Sequence, residues 1–304
     1  MDLNRLLANL ERPASKVDVV LDTDAYNEVD DQFAIAYMLA YPDRLSVQAI
    51  YAAPFHNGRS SGPKDGMEKS HAEILRLLAM IKGADGMKVL KGSERYLPDE
   101  ATPVPSPAAS HLVEAAMGHS PESPLYVVAI GAITNVASAI LMEPRIAERV
   151  VVVWLGGNAL HWPDAREFNM HQDIAAARVV FGCGAPLVQL PCGGVVSAFT
   201  ISEAELSKWL LGRNAISDYL ARNTIDEASK YAMGRPWTRI IWDVTAVAWL
   251  IDGRFQSDRL IRSPIPEYDG YMAHSDGRHF MRYVYAINRD ALVHDLFERL
   301  LALG

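Results

Sequence analysis

The chain has 304 residues, of which 50% are hydrophobic, and its formal net charge at pH 7 is −8. This length and apolar content suffice for one large α/β domain or two smaller ones. The acidic balance, without a long basic run, argues against nucleic acid as a partner, and no apolar stretch reaches the roughly 18–20 residues that a membrane helix needs.

Short β-branched runs alternate along the chain with segments of helical periodicity. The predicted strands, largely buried on both faces, are 17–21, 47–52, 125–130, 150–155 and 186–190. The predicted helices are 32–40, 67–81, 132–141 and 174–181. With no linker in the sequence, this alternation predicts an α/β fold in one domain, residues 1–304, with an open, mostly parallel, Rossmann-like sheet and helices on both faces.

Two further segments have distinct compositions. Residues 96–110 contain four prolines and are expected to form a loop. Residues 203–235 are expected to be helical and to cap an edge of the sheet.

The two cysteines, Cys183 and Cys192, lie in FGCGAPLVQLPCGG. They lack the spacing of a zinc site and the density of a disulfide scaffold, so we interpret them as reduced, mostly buried thiols. Residues 1–16 lack a secretory apolar region and a cleavage signal. Together these features predict a cytoplasmic location.

The stretch DTDAYNEVDD, residues 22–31, places four aspartates and one glutamate between the first strand and the first of the predicted helices. Two charges about 4 Å apart repel by several kcal/mol at an intermediate dielectric, so solvent, protonation or a cation must relieve the cluster. A helix N-terminus helps Asp30 and Asp31 but not obviously Asp22 and Asp24. Because ligands bind beyond the carboxyl ends of such strands, we favour a hard cation with oxygen ligands over a capped, solvated turn.

Two familiar acidic motifs do not fit this stretch. An EF-hand loop that starts at Asp22 needs glycine at its sixth position and glutamate at its twelfth, where this chain has Asn27 and Phe33. The loop of an aspartate-nucleophile phosphatase resembles D-x-D-G-[TV], which residues 25 and 26, alanine and tyrosine, do not match.

The acidic stretch resembles the opening signature of the inosine–uridine-preferring nucleoside hydrolases, D-x-D-P-G-x-D-D. Here the signature becomes Asp22-Thr-Asp24, five further residues, and Asp30-Asp31, with a turn two residues longer and no Pro-Gly. Four more segments resemble the family in order and spacing: AIYAAPFHN, LYVVAIGAITNVASAI, REFNMHQD and IIWDVTAVAWLID. The resemblance covers roughly residues 17–252.

This resemblance implies calcium-dependent hydrolysis of the N-glycosidic bond of a ribonucleoside, giving ribose and free base through an oxocarbenium-like transition state. It also implies a homodimer or homotetramer with one Ca²⁺ in each pocket. The implied calcium ligands are the carboxylates of Asp24, Asp31 and Asp243 and the carbonyl of Ile130. Asp24 would also act as the general base that activates a metal-bound water.

The same resemblance assigns ribose contacts to Asp30, Asn57, Glu167 and Asn169, and leaves Asp22 to orient the loop. Four of the assigned residues have a structural alternative: Asn57 a loop residue, Glu167 a surface residue, Asn169 a cap for the helix near Asp173, and the calcium ligand Asp243 a cap for residues 244–251.

The sequence departs from the family where the leaving base is activated. Many members have histidine before the last aspartate, whereas this chain has Trp242. We expect Trp242 to stack on the base, with Tyr231 or Trp237, unless it is a core residue. His161 and His171 are alternative acids or simply polar residues.

The pocket rim also departs from the family. The loop 156–169 is shorter than in the family, and Asn158 is the candidate for its ribose contact. The longer turn could bring Tyr26, Asn27 and Glu28 to the pocket.

Three functions are compatible with these residues. The first is the ribonucleoside hydrolase described above. The second is a nucleoside- or ribosyl-binding protein on the same scaffold with weak or no turnover, which the missing histidine motivates. The third is hydrolysis of a different ester or glycosyl bond at the same metal site.

Overall fold

The β-branched runs form the central sheet of the computed structural model, which describes residues 1–303. The strands are β1 (Val17–Thr23), β2 (Leu45–Ala52), β3 (Val89–Lys91), β4 (Leu125–Ala129), β5 (Val150–Leu155), β6 (Leu187–Leu190), β7 (Thr200–Ser202), β8 (Thr238–Ile240), β9 (Gln256–Arg262), β10 (Ile265–Pro266), β11 (Met272–Ala273) and β12 (Phe280–Ile287). The order in the main sheet is β3-β2-β1-β4-β5-β6-β12-β9. Its strands pair in parallel except for β9, which runs antiparallel to β12.

The helices follow the strands in the alternating order that a parallel sheet requires. They are α1 (Leu3–Asn9), α2 (Asp30–Leu39), α3 (Pro63–Leu78), α4 (Pro107–Met117), α5 (Thr134–Met142), α6 (Phe168–Gln172), α7 (Ile174–Gly182), α8 (Glu203–Trp209), α9 (Ala215–Ala232), α10 (Val244–Trp249) and α11 (Arg289–Leu301). Short 3-10 helices lie at Pro144–Glu148, Val196–Ala198 and Gly253–Phe255. Within residues 1–303, no helix combines the length and apolar character that crossing a membrane requires.

The core lies on both faces of the sheet, because successive side chains of a strand point to opposite faces. Val19 and Leu21 of β1 belong to the apolar cluster that includes Phe33 of α2. Val20, between them, belongs to a second cluster with Ala137 of α5. The predicted fold class, a mostly parallel α/β sheet covered on both faces, is therefore confirmed. The assignment of residues 1–304 to one domain stays a prediction, and its last residue, Gly304, lies outside the described residues.

Two predictions about the connecting segments are corrected. The loop predicted for residues 96–110 ends earlier, because α4 begins at Pro107 with Ser106 as its N-cap; proline is well suited to the first helical position. Residues 203–235 are largely helical, but they do not cap a sheet edge. Instead, Tyr219 and Asn223 of α9 make hydrogen bonds to Glu73 of α3 and Gln32 of α2.

The sequence prediction also missed strands on both sides of the predicted sheet. β3 has only three residues, and four of the seven residues of β9 are exposed. β12 carries polar and half-buried positions. β3 and β9 are the two edge strands of the sheet and lack a continuous apolar run because one side of an edge strand meets solvent.

The topology places a binding crevice between β1 and β4. From β1, the chain continues to β2 and β3 on one side, and to β4, β5 and β6 on the other. The connections after β1 and β4 therefore diverge to opposite sides and leave a crevice beyond the carboxyl ends of the two strands. Asp24 follows β1 and Ile130 follows β4, so both lie at this crevice.

Candidate active site

A cavity of about 570 Å³ lies beyond these strand ends. Its carboxylate-bearing lining residues are Glu28, Asp30, Asp31, Glu167 and Asp243. Its amide side chains are Asn27, Asn57, Asn158 and Asn169, and its aromatic side chains are Trp162, Phe168 and Trp242. Ile130, Leu155, Cys192 and Gly193 complete the lining.

The carboxylates of three aspartates lie close together in the cavity. Each of Asp30, Asp31 and Asp243 presents a carboxylate oxygen within 4.8 Å of those of the other two, and all three residues are buried. Asp30 and Asp31 open α2, and Asp243 precedes α10. The side chain of Asp243 makes no capping hydrogen bond, so helix capping does not account for its position.

Asp24 lies close enough to this trio for its charge to raise the pKa of Asp243, but it is only 1% exposed and is not among the residues that line the cavity. Neither of its carboxylate oxygens has a hydrogen-bond partner among residues 1–303. A Cβ atom at residue 131 would lie 3.1 Å from the Asp24 carboxylate, so Gly131 permits the close approach of this side chain to the turn after β4. A buried carboxylate without a partner is costly, which indicates that Asp24 has a partner in the working protein.

The electrostatics of the cluster lead to the same conclusion. Burial, followed by repulsion from neighbouring carboxylates, raises the pKa of Asp24, Asp30 and Asp243 well above the usual range. Burial also raises the pKa of Asp31 to about 6. The 2.5 Å hydrogen bond that Asp31 accepts from the Thr23 hydroxyl acts in the opposite direction and lowers this pKa. A hard divalent cation with oxygen ligands suits such a donor set.

Asp22 supports the cluster from behind rather than lining the cavity. It is fully buried at the end of β1, and its Oδ1 accepts a hydrogen bond of 2.7 Å from Asn135 Nδ2. Burial raises the pKa of Asp22 to about 7. This position agrees with the predicted role of orienting the loop.

The side-chain amides predicted to bind ribose all line the cavity. They differ in how many hydrogen bonds they already make within the protein. Asn57 Nδ2 donates to Asn27 Oδ1 at 2.6 Å. Asn169 Nδ2 donates to the carbonyls of Ile130 and Leu155 at 3.2 and 3.1 Å. Asn158 is bonded at both ends, since its Oδ1 accepts from the backbone N–H of residue 193 and its Nδ2 donates to the carbonyl of residue 164.

Glu167 is turned inward as the N-cap of α6, not placed on the surface. Its carboxylate accepts hydrogen bonds from the backbone N–H groups of Gly157, Asn169 and Met170. Asp173 caps α7 through the backbone N–H of Ala176, so Asn169 is not needed as a cap there.

The aromatic lining contains two residues that the sequence reasoning missed, Trp162 and Phe168. Trp242 lines the cavity and also packs against the core. Tyr231 and Trp237, the expected stacking partners, are not brought there: Tyr231 is exposed, and Trp237 lines a different cavity. The sequence around Trp162 does not indicate that this residue reaches the cavity, because the position of its ring depends on packing against Gly193 and Gly194, about 30 residues away.

Some of the other residues predicted to reach the cavity line it, and some do not. The exposed His161 and His171 are not among the lining residues of the described chain. Asn27 and Glu28 line the cavity, and Glu28 forms an ion pair with Arg239. Tyr26 instead has its ring beside the Arg59 guanidinium, 5.9 Å away.

Cys192 is a further cavity residue that was predicted only as a buried thiol. It is 6% exposed, and both cysteines are free. Burial, followed by the charges of Glu167 and Asp243, raises its pKa well above the usual range. Its thiol is therefore neutral at physiological pH.

Comparisons with known proteins identify the family of the chain. The family model described as inosine-uridine preferring nucleoside hydrolase matches residues 19–279. A pyrimidine-specific ribonucleoside hydrolase, RihA, of Salmonella arizonae is 28% identical over 260 residues, which cover 77% of this chain and 79% of that protein.

Two solved structures share the fold. A plant nucleoside hydrolase, PpNRh1, superposes with a TM-score of 0.76 at 20% identity, covering 95% of this chain and 100% of that one. A purine-preferring ribonucleoside hydrolase from Gardnerella vaginalis gives a TM-score of 0.76 at 19% identity, with coverages of 94% and 98%. The match to the family model spans most of the chain, and the chain therefore belongs to the inosine-uridine preferring nucleoside hydrolase family.

Proposed function

We propose that this nucleoside hydrolase uses a calcium ion to hydrolyse the N-glycosidic bond of a ribonucleoside, giving ribose and free base. The observation that carries the proposal is the buried group of Asp24, Asp30, Asp31 and Asp243, which leaves carboxylate oxygens without hydrogen-bond partners among residues 1–303. No lysine, arginine or histidine of the described chain lines this cavity to neutralise them.

Calcium fits this donor set because it takes six to eight oxygen ligands in a flexible arrangement. Asp24, Asp31, Asp243 and the Ile130 carbonyl would hold the ion, with Asp30 adjoining them. When bound, calcium would neutralise the carboxylates and make a coordinated water more acidic.

Asp24 is the proposed general base. Its carboxylate is free of hydrogen bonds from the described residues, so it is available to accept a proton from a coordinated water. Proton transfer to a positioned carboxylate typically contributes about 10²–10⁴-fold to the rate.

The ribose would be held by Asn57, Asn169, Asp30 and Glu167, which line the cavity around the acidic group. Asn158 would contribute mainly by fixing the loop, since both ends of its amide are already bonded to the backbone. Trp242, which also lines the cavity, would stack on the leaving base.

The test combines metal analysis with turnover. Purified protein should contain about one calcium per chain, release reducing sugar from at least one ribonucleoside or from 4-nitrophenyl riboside, and lose activity in chelator until calcium is restored. Binding of nucleosides without turnover of any of these compounds would contradict the proposal and favour the binding-protein alternative.

Two further proposals rest on sequence evidence. The free state of Cys183 and Cys192 supports a reducing, cytoplasmic location. The homodimer or homotetramer is proposed from family resemblance alone, and size-exclusion chromatography with light scattering tests it.

A further inference from the structure

We propose that Asn27, in the longer turn after β1, is a further ribose-binding residue whose side-chain amide donates to a sugar hydroxyl. The inference rests on the function proposed above and adds a specificity-determining contact to it. Three observations support the assignment: the free hydrogen-bond donors of the cavity, the orientation of the Asn27 amide, and the anchoring of the turn on both sides.

The first observation concerns the N–H donors that the cavity offers. A sugar hydroxyl that donates its hydrogen to a carboxylate still has an oxygen that accepts from an N–H group. Asn169 Nδ2 donates to two backbone carbonyls, and Asn158 and Asn57 each use one N–H within the protein. Within residues 1–303, Asn27 Nδ2 donates to no other atom, and it is not among the enclosed polar atoms that lack a partner. Because Asn27 lines the cavity, its amide offers both N–H groups there.

The second observation is the orientation of the amide. An asparagine amide is held in one orientation when a backbone donor meets its oxygen. The backbone N–H of Arg59 donates to Asn57 Oδ1 at 2.8 Å, which leaves Nδ2 as the donor end of Asn57. This nitrogen lies 2.6 Å from Asn27 Oδ1, so the nitrogen of Asn27 is left for a ligand. Asn57 therefore positions Asn27 and keeps a second N–H of its own for the ribose.

The third observation is the anchoring of the turn around Asn27. Its backbone N–H donates to the carbonyl of Asp24 at 2.7 Å, which closes a tight turn at the end of β1. On one side, the backbone N–H of Tyr26 donates to a serine hydroxyl of α3 at 3.3 Å. On the other side, Glu28 is ion-paired with Arg239. The Asn27 side chain is therefore ordered before a ligand arrives, which lowers the entropic cost of binding.

The length of the turn makes this contact particular to the chain. Five residues separate Asp24 from Asp30, two more than in the signature D-x-D-P-G-x-D-D, and Asn27 is the central one. The Pro-Gly of the shorter turn has no side-chain donor, since proline has only its ring and glycine has no side chain. Recognition of one sugar hydroxyl therefore depends here on a residue that the signature does not contain.

The experiment compares the calcium-loaded full chain with its Asn27→Ala variant. The parent compounds are inosine, uridine and 4-nitrophenyl riboside, and the one hydrolysed fastest is then replaced by its analogues without the 2′, 3′ or 5′ hydroxyl. Sugar release gives kcat/KM, and an analogue that is not hydrolysed is measured by its Ki as a competitor.

Asn27→Ala should lower kcat/KM for the parent compound by about 3- to 15-fold, as expected for the loss of one hydrogen bond. The analogue that lacks the contacted hydroxyl should be affected less than threefold, while the other analogues keep the loss. Calcium affinity, measured by isothermal titration calorimetry, should change less than threefold. Asn4→Ala, at an exposed position of α1, is the matched control and should leave kcat/KM unchanged.

The outcomes separate the two proposals. If the wild-type protein hydrolyses none of the parent compounds, the proposed function itself fails, and the inference fails with it. If the wild-type protein is active but Asn27→Ala loses less than threefold, or loses equally on every analogue, the inference is overturned while the hydrolase function stands. If Asn27→Ala does not fold, a crystal structure of the wild-type protein with calcium and ribose decides. A distance of up to about 3.2 Å from Asn27 Nδ2 to a sugar hydroxyl supports the contact, and a longer one overturns it.

Discussion

Asn135 donates its side-chain amide to the carboxylate of Asp22 at 2.7 Å, and its Oδ1 accepts from the backbone N–H of Ser93 at 2.7 Å. The first turn of α5 is thereby tied to the end of β1, directly behind the acidic group. Because this contact is fully buried, it fixes the strand end that places Asp24.

The first prediction concerns this contact. Asn135→Ala should lower the free energy of unfolding by about 1–3 kcal/mol, because it leaves the Asp22 carboxylate and the Ser93 N–H unsatisfied. Denaturant unfolding of Asn135→Ala, Asp22→Ala and the double variant measures the coupling, expected at about 0.5–3 kcal/mol. Additive losses would show that the two side chains are energetically independent.

The second prediction concerns metal binding. Asp31→Asn and Asp243→Asn should each weaken calcium binding at least tenfold, because each removes a carboxylate that is proposed to hold the ion. Isothermal titration calorimetry of the chelator-treated protein measures this. Asp85→Asn, in an exposed loop, is the control; equal affinity in all three variants would place the ion elsewhere.

The third prediction concerns pH and the calcium-free protein. Burial raises the pKa of Asp22 to about 7 and that of Asp31 to about 6, above the value of about 3.9 for an unfolded chain. Between about pH 4 and 7 the folded state therefore holds more protons than the unfolded state, and its stability falls as pH rises.

Calcium binds the ionised carboxylates, so its affinity rises over the same range. The increase in Tm caused by calcium should therefore be larger at pH 8 than at pH 5, as measured by scanning calorimetry. A calcium effect that is constant over this range would contradict the prediction.

The fourth prediction separates catalysis from stability at Asp24. Asp24→Asn should lower kcat by about 10²–10⁴-fold, because an amide cannot accept the proton of the attacking water. The calcium-free variant should be as stable as the parent protein or more stable, since a buried carboxyl without a partner is replaced by a neutral group. Near-normal kcat would remove Asp24 from the role of base.

The fifth prediction concerns His161 and His171, which lie on either side of residues 167–169 in the sequence. His161→Gln and His171→Gln should each change kcat/KM less than twofold on every substrate, since neither ring lines the cavity and a proton donor must reach the leaving group. Steady-state kinetics on inosine provides the measurement. A loss confined to inosine, with 4-nitrophenyl riboside unaffected, would identify that histidine as the acid.

The sequence by itself determined the strand–helix order and the acidic end of β1. Runs such as residues 150–155 are strands over their predicted length because β-branched side chains suit a sheet buried on both faces. The position of Asp22 to Asp31 follows from the chain alone, since residues directly after a parallel strand must lie at its carboxyl end.

Only the tertiary structure decided which side chains meet. It placed Asp30 in the trio with Asp31 and Asp243, turned Glu167 into a helix cap, and laid Trp162 over a Gly-Gly turn some 30 residues away. These outcomes depend on side-chain directions and on close packing between segments far apart in sequence. Hydrophobic periodicity reports only the neighbours of a residue along the chain, so it could not specify them.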